Sequence, residues 1–508
     1  MTHVSGRVRR MTPIARLVQA LIVTSAALAM AAFGAACSGD ESAQPTVAQP
    51  PTAPPTTTRE APATNRPHAK PTQIVVRDGD TGKLLRDAVI RFGRAGRVVT
   101  RSGGHAHLVL GAHRRVRVSV RRPDYMPERM TVRTRKGGQH VEVRLYRRAV
   151  QWPIYGANRP RTQTHPAIKL RPPFRRVWKR GVGSLIEFPA VVWKGVAYVD
   201  SMQGVMTAIS MRSGKVVWRR QIGTRMAASP AVVPERNELV VVTMSPGELV
   251  VLNLETGRVK YRRYIGRAEP SAVVRNGIAY FGAANGVFHA FNVRRRAFLW
   301  QRSLGAKITA SAALVGNRLY VGDYAGRVFC LSARTGRTIW TSSAGSRVYG
   351  TAAVADEKVF VPFVFSGLSA LSARTGRLLW RNSDGTYHYA APAYYHGRVY
   401  YGSYAGRVYS ADADSGHIRW VRETRRAVSG AVQVVAGVVY AGSFDHRIAA
   451  WNWRSGRLLW RFPHGKYVSV SGNGGRLLMH GVRKVYAVQP PKHHKHGKHE
   501  KKKHEKKS

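Results

Sequence analysis

The chain holds 508 residues, enough for more than one domain, and 44% of them are hydrophobic, enough to fill real cores. Its 83 Lys and Arg against 26 Asp and Glu give a net charge of +57, which draws polyanions such as acidic wall polymers, anionic lipid or nucleic acid but does not bear on fold. Two cysteines, Cys37 and Cys330, stand far apart and exclude both a disulfide framework and a zinc cluster.

Residues 1–37 read as an export signal. Arg7, Arg9, Arg10 and Arg16 form a basic leader, and Leu17 to Gly39 carries no charge. The stretch Gly34-Ala35-Ala36-Cys37 resembles a bacterial lipobox with Gly where the family prefers Leu; the resemblance implies acylation of Cys37. The apolar run is also long enough to stay as a single membrane anchor. Either way the arginines place the leader inside and the body outside. Residues 38–71 (PTVAQPPTAPPTTT) cannot bury a core and form an extended spacer.

Residues 72–148 form a second module. Short alternating segments at 74–76, 88–92, 107–110, 116–120, 130–132 and 141–145 are separated by DTG, SGG and KGG turns, which predicts a small β-sandwich. The order VVRDGDTGKLLRDAVIRF, TRSGGHAHLVL, VRVSVRRPDYMPE resembles the carboxypeptidase-regulatory-like sandwich, which implies an accessory domain without chemistry. His105 and His107 share one strand face, but no third ligand is near in sequence, so they read as surface histidines.

Residues 149–172, including WPIYGANRPRTQT, lead into the largest part of the chain, 173–490. There one phrase keeps returning: LSARTGRLLW (371–380), VFCLSARTGRTIW, IAAWNWRSGRLLW, MTAISMRSGKVVW, VYSADADSGHIRW. Its closing aromatics are Trp178, Trp218, Tyr261, Trp300, Trp340, Trp380, Trp420 and Trp460, a period close to 40 residues. A second marker, the centre of a VYxGS-like strand, keeps the same beat at Tyr198, Val240, Tyr280, Tyr320, Phe360, Tyr400, Tyr440 and Leu478. A 40-residue repeat made only of strand-type segments predicts a propeller with four strands per blade, and eight copies predict eight blades. Trp178 has no hairpin before it and the last repeat has no closing aromatic, so Phe174–Lys179 is expected to supply the last outer strand. The fold class is therefore all-β, an eight-bladed propeller with a small N-terminal sandwich.

The repeat Ala-x-Asp-x-x-Thr-Gly-x-x-x-Trp and the WPxYG opener resemble the PQQ-type repeat propellers, over 174–490. That family holds quinoprotein dehydrogenases and non-enzymatic scaffolds, among them the propeller lipoprotein of the β-barrel assembly machinery. The dehydrogenases carry an adjacent Cys-Cys pair under the quinone and acidic residues for Ca²⁺ and proton abstraction. Here the pair is absent, because Cys330 stands alone in a slot for small buried residues. Phosphate loops, HExxH and GxSxG are absent as well. The resemblance therefore implies a scaffold without cofactor or resident metal, monomeric, binding an envelope protein or an anionic polymer; the alternative is a divergent quinoprotein oxidoreductase. Nucleic acid rests on charge alone, and an exported protein rarely needs it. Residues 491–508, with five histidines among lysines, read as a solvated polycation.

A candidate site follows from counting. Six or seven residues past each docking aromatic the chain crosses to the next innermost strand, on the face where propellers bind ligands. Six crossings carry cations: Arg225, Arg267, Lys307, Arg347, Arg426 and Lys466. Tyr387 and His388 hold a seventh, and Tyr467 stands beside Lys466. The expectation is a cationic, partly aromatic funnel mouth.

Overall fold

The computed structural model describes residues 72–94, 96–109, 114–343 and 345–491. The leader, the spacer, the polycationic tail and Cys37 lie outside the described residues. Among the described residues, no helix is long and apolar enough to cross a membrane.

The first module is two sheets around one core. Strand β1 (Thr72–Asp78) lies between β4 (His105–Leu108) and the parallel β7 (Gln139–Leu145). The second sheet runs in the order β3 (Gly96–Val99), β2 (Val89–Phe92), β5 (Arg115–Arg121) and β6 (Glu128–Arg133). Ile74, Val76, Ile90, Leu108, Val118, Val120 and Val143 meet between them. Strand β3 lies outside the segments expected from sequence; it forms by pairing with β2 from Val89↔Val99 to Phe92↔Gly96. The module docks on the propeller through Asp80, which accepts from Asn473 Nδ2 (2.9 Å) and Gln151 Nε2 (3.0 Å).

Eight sheets of four antiparallel strands then follow, over 191–221, 231–264, 273–303, 313–343, 353–382, 393–423, 433–462 and 470–489. The eighth is completed by β9 (Arg175–Gly181), which pairs with the strand 484–489, so the start of the repeat region supplies the last outer strand. The two sequence markers are one cross-strand register. Tyr320 faces Cys330 and Cys330 faces Trp340; Tyr400, Ser410 and Trp420 repeat the arrangement, and Leu478, Ala487 and Trp178 close it. A small central residue lets two large rings flank it in a half-buried sheet.

Seven of the eight docking aromatics tie their sheet to the next. The indole N–H donates to a carbonyl 33 to 36 residues on: Trp178 to Met211 (2.9 Å), Trp218 to Leu254 (3.0 Å), and Trp300, Trp340, Trp380 and Trp420 to Ala333, Ala373, Ala413 and Trp453 (each 3.1 Å). Tyr261 does the same with its hydroxyl, to Val293 at 2.7 Å. The Thr-Gly turn follows from this stacking. Gly376 has φ +78, and a Cβ there would stand 2.6 Å from the Trp340 ring. Trp460 has no next hairpin to meet; it packs edge-on against Phe174 at 5.3 Å.

The lead-in does more than precede the repeats: it runs around the inner ring. Carbonyls of Pro153, Arg159, Pro160, Thr162 and Gln163 accept from the N–H groups of Val232, Leu314, Val354, Tyr394 and Val434, each the middle residue of an innermost strand. Trp152 bridges to Val192 in the first sheet, and Arg159 Nε donates to Val274 O in the third. Strand β8 (Thr164–His165) pairs in parallel with the seventh sheet. Arg161 is fully buried among these strands.

Candidate functional site

Antiparallel order puts two sets of loops on one face: the crossings between sheets and the turns between second and third strands. Together they line a cavity of about 510 Å³ whose floor includes Tyr155 from the lead-in. Every crossing contributes to it, through Glu187, Ala227, Glu269, Thr309, Tyr349, Tyr389, Ser429 and Tyr467 among others. These stand eight or nine residues past the docking aromatics, seven at the last. Most of the wall therefore stands about two residues past the basic crossings, although Arg225 and Arg347 of those crossings also line it.

One half of the wall is a chain of rings in contact: Tyr324–Tyr349 (6.2 Å), Tyr349–Tyr389 (5.3 Å), Tyr389–Tyr404 (5.1 Å), Tyr404–Phe444 (5.8 Å) and Phe444–Tyr467 (5.3 Å). It continues to the surface through Tyr387 and Phe365, 5.0 Å apart. The other half carries Glu187 and Glu269, with Arg225 between them in chain order. Burial raises the Glu187 pKa, the like charge of Glu269 adds to this, and Lys466 and Arg225 oppose it. The Tyr349 hydroxyl is pushed well above its ordinary range, first by burial and then by Glu187 and Glu269.

The expected site residues divide. Arg225, Arg347 and Tyr467 line the cavity. Lys307 is drawn to Glu269 (3.2 Å) and lies over Tyr324 (4.9 Å). Lys466 lies over Phe444 (5.4 Å) and Tyr467 (4.9 Å), and Tyr387 joins the aromatic chain from outside. Arg267 and Arg426 are exposed and outside the lining. His388 is corrected: it is buried, 1% exposed, with Nε2 2.9 Å from Asp384 Oδ1, because alternation along the chain turns it inward between Tyr387 and Tyr389. Burial lowers the His388 pKa, opposed by Asp384. The funnel is thus more aromatic and less cationic than its crossings suggest; Glu187 and Glu269 are what counting basic residues missed.

The dehydrogenases of the PQQ-type repeat family hold a quinone over a cysteine pair together with Ca²⁺. Cys330 is the free cysteine of the described residues and is fully buried inside the fourth sheet, its thiol pushed up to about 11 by burial. Among the described residues no group of three His, Cys, Asp or Glu is placed to hold a metal. Neither a neighbouring cysteine pair nor a metal-holding set is thus present among the described residues.

A ring of antiparallel sheets, seven of them tied to the next by a docking aromatic that in most repeats follows a Thr-Gly or Ser-Gly turn, defines a β-propeller of PQQ-like repeats. The chain belongs to the family described as outer membrane protein assembly factor BamB, which matches residues 174–285 and 283–491. It is similar to the outer membrane protein assembly factor BamB of Yersinia pestis, 26% identical over 149 residues; that stretch is 28% of this chain and only 36% of the relative. The crystal structure of BamB from Moraxella catarrhalis superposes with a TM-score of 0.54 at 18% identity, covering 64% of this chain and 99% of that one. The quinohemoprotein alcohol dehydrogenase of Comamonas testosteroni superposes with 0.59 at 14% identity, covering 67% and 80%. At such identities the superpositions establish the fold alone.

Proposed function

We propose that this protein is a non-enzymatic propeller scaffold, tethered to the cell envelope on the extracytoplasmic side through its N-terminus, that holds an envelope protein at its funnel face. The observation that carries this is the run of contacting rings from Phe365 and Tyr387 down to Tyr467, open to solvent on one face. Monomeric proteins seldom leave aromatics contiguous and exposed, and interface energy concentrates in such residues. Family membership supports the reading.

Site-specific photo-crosslinking in intact cells tests it. A photoreactive phenylalanine at Phe365 or Tyr387 is expected to capture a discrete envelope protein, whereas one at Ile339 on an outer strand is not. Dye-linked alcohol or sugar oxidation by the protein reconstituted with quinone and Ca²⁺ would instead establish the oxidoreductase reading.

A further inference from the structure

We infer that the funnel receives an extended segment of a protein partner that carries one apolar or aromatic anchor flanked by acidic residues. This rests on the scaffold reading and adds the chemistry of the partner.

The interior selects for the anchor. Two carboxylates, Glu187 and Glu269, and two guanidiniums, Arg225 and Arg347, line the cavity, so neither sign of charge dominates, and Glu269 is already held by Lys307. A charged group entering there loses water and gains little. A ring or a branched aliphatic side chain meets tyrosine walls and the Tyr155 floor in a space of about 510 Å³.

The rim selects for the flanks. Phe365, Tyr387 and Tyr404 are 51%, 42% and 37% exposed; the first two carry the aromatic chain outward and Tyr404 is its exposed middle link. At its two ends stand Arg347, over Phe365 (5.3 Å) and Tyr324 (5.9 Å), and Lys466, over Phe444 and Tyr467. Neither makes an ion pair with a carboxylate among the described residues. The rings hold both cations in place, so an incoming carboxylate makes a charge-assisted contact without displacing an existing partner. The net charge of +57 gathers acidic segments from a distance. An acidic polymer would use the same charge and leave the cavity unused.

The test is fluorescence anisotropy with the full-length protein in detergent and labelled peptides of about a dozen residues. One carries a central Trp among Asp residues, a second has Ala for Trp, and a third has Lys for every Asp. The Trp–Asp peptide is expected to bind, the Ala version to bind about tenfold more weakly or worse, and the Lys version not to bind. Arg347→Glu with Lys466→Glu should weaken the Trp–Asp peptide by about tenfold, and Arg337→Glu with Arg377→Glu, in the turns of the opposite face, by less than about twofold. Tyr389→Ala removes a wall of the cavity; Tyr404→Ala, an exposed ring, repeats the test where folding is not at stake. Equal binding of the Trp and Ala peptides, or equal loss from the two charge reversals, overturns the inference in favour of diffuse charge. Photo-capture of an envelope protein that survives Arg347→Glu with Lys466→Glu would leave the scaffold reading standing and remove this chemistry from it.

Discussion

Arg161 donates from Nε to the carbonyl oxygen of Ala312 across 3.0 Å, at the centre of the ring. Its Nη2 donates to Ser271 O (2.9 Å) and its Nη1 to Tyr155 O, and no ion pair joins it among the described residues. Carbonyl dipoles and the Tyr155 ring therefore hold a buried cation, and burial lowers its pKa to about 10. The guanidinium fork is what lets one side chain satisfy strands from the third and fourth sheets and the lead-in together.

Removing it leaves buried carbonyls without donors. Arg161→Ala should cost about 3–5 kcal/mol, and Arg161→Lys, which keeps the charge without the fork, somewhat less. Thermal unfolding followed by tryptophan fluorescence measures both. A melting temperature within about 1 °C of the parent for Arg161→Ala would show that the lead-in merely lies in the channel.

The docking aromatics give a second prediction. Trp340 is 9% exposed, bonds Ala373 and carries Gly376 against its face. Trp340→Ala should cost ~3–5 kcal/mol, and Trp340→Phe about 1–3 kcal/mol because Ala373 O loses its donor. Gly376→Ala should destabilise as well, through the left-handed backbone and the Trp340 ring together. Chemical denaturation ranks the three; a neutral Gly376→Ala would contradict the stacking.

Acid should open the ring at one seam. His480 is fully buried, and burial lowers its pKa to about 4. Its Nε2 accepts the Ala190 N–H at 3.0 Å, joining the eighth sheet to the chain entering the first. The unfolded chain takes up this proton near pH 6.5 and the folded chain only near 4, so the stability tied to His480 is complete above 6.5 and is lost as pH falls from 6.5 towards 4. Buried His289, also lowered to about 4, adds to the same limb. His480→Gln should flatten part of the decline in melting temperature over that window; an unchanged slope would place the acid sensitivity elsewhere.

Tethering is testable at Cys37. Cys37→Ala should abolish metabolic labelling with a fatty acid and release the protein from the membrane fraction or block its processing. Unchanged retention with the leader still attached would establish a membrane-spanning anchor instead. Cys330, buried in the fourth sheet, should stay unreactive to thiol reagents until the protein unfolds.

The sequence by itself determined the repeat, its strand content and its closure. The physical reason is that each structural step is local: a small residue between two rings, a Thr-Gly or Ser-Gly turn that must lie flat under the preceding tryptophan, an orphan Trp178 in need of a hairpin. The Tyr320–Cys330–Trp340 register could be read from spacing because alternation on a strand has period two. What only the tertiary structure decided lies on the axis. The lead-in became an inner belt because its carbonyls from Pro153 to Gln163 meet strands about 80 to 270 residues away, and no periodicity records such distances. The funnel wall appeared about two residues past the basic crossings, for a backbone changes direction as it turns from an outer strand to an inner one. Alternation turned His388 inward to Asp384, and the crossings brought Glu187 and Glu269 to the cavity, so that an expected ring of cations became an aromatic wall flanked by Arg347 and Lys466.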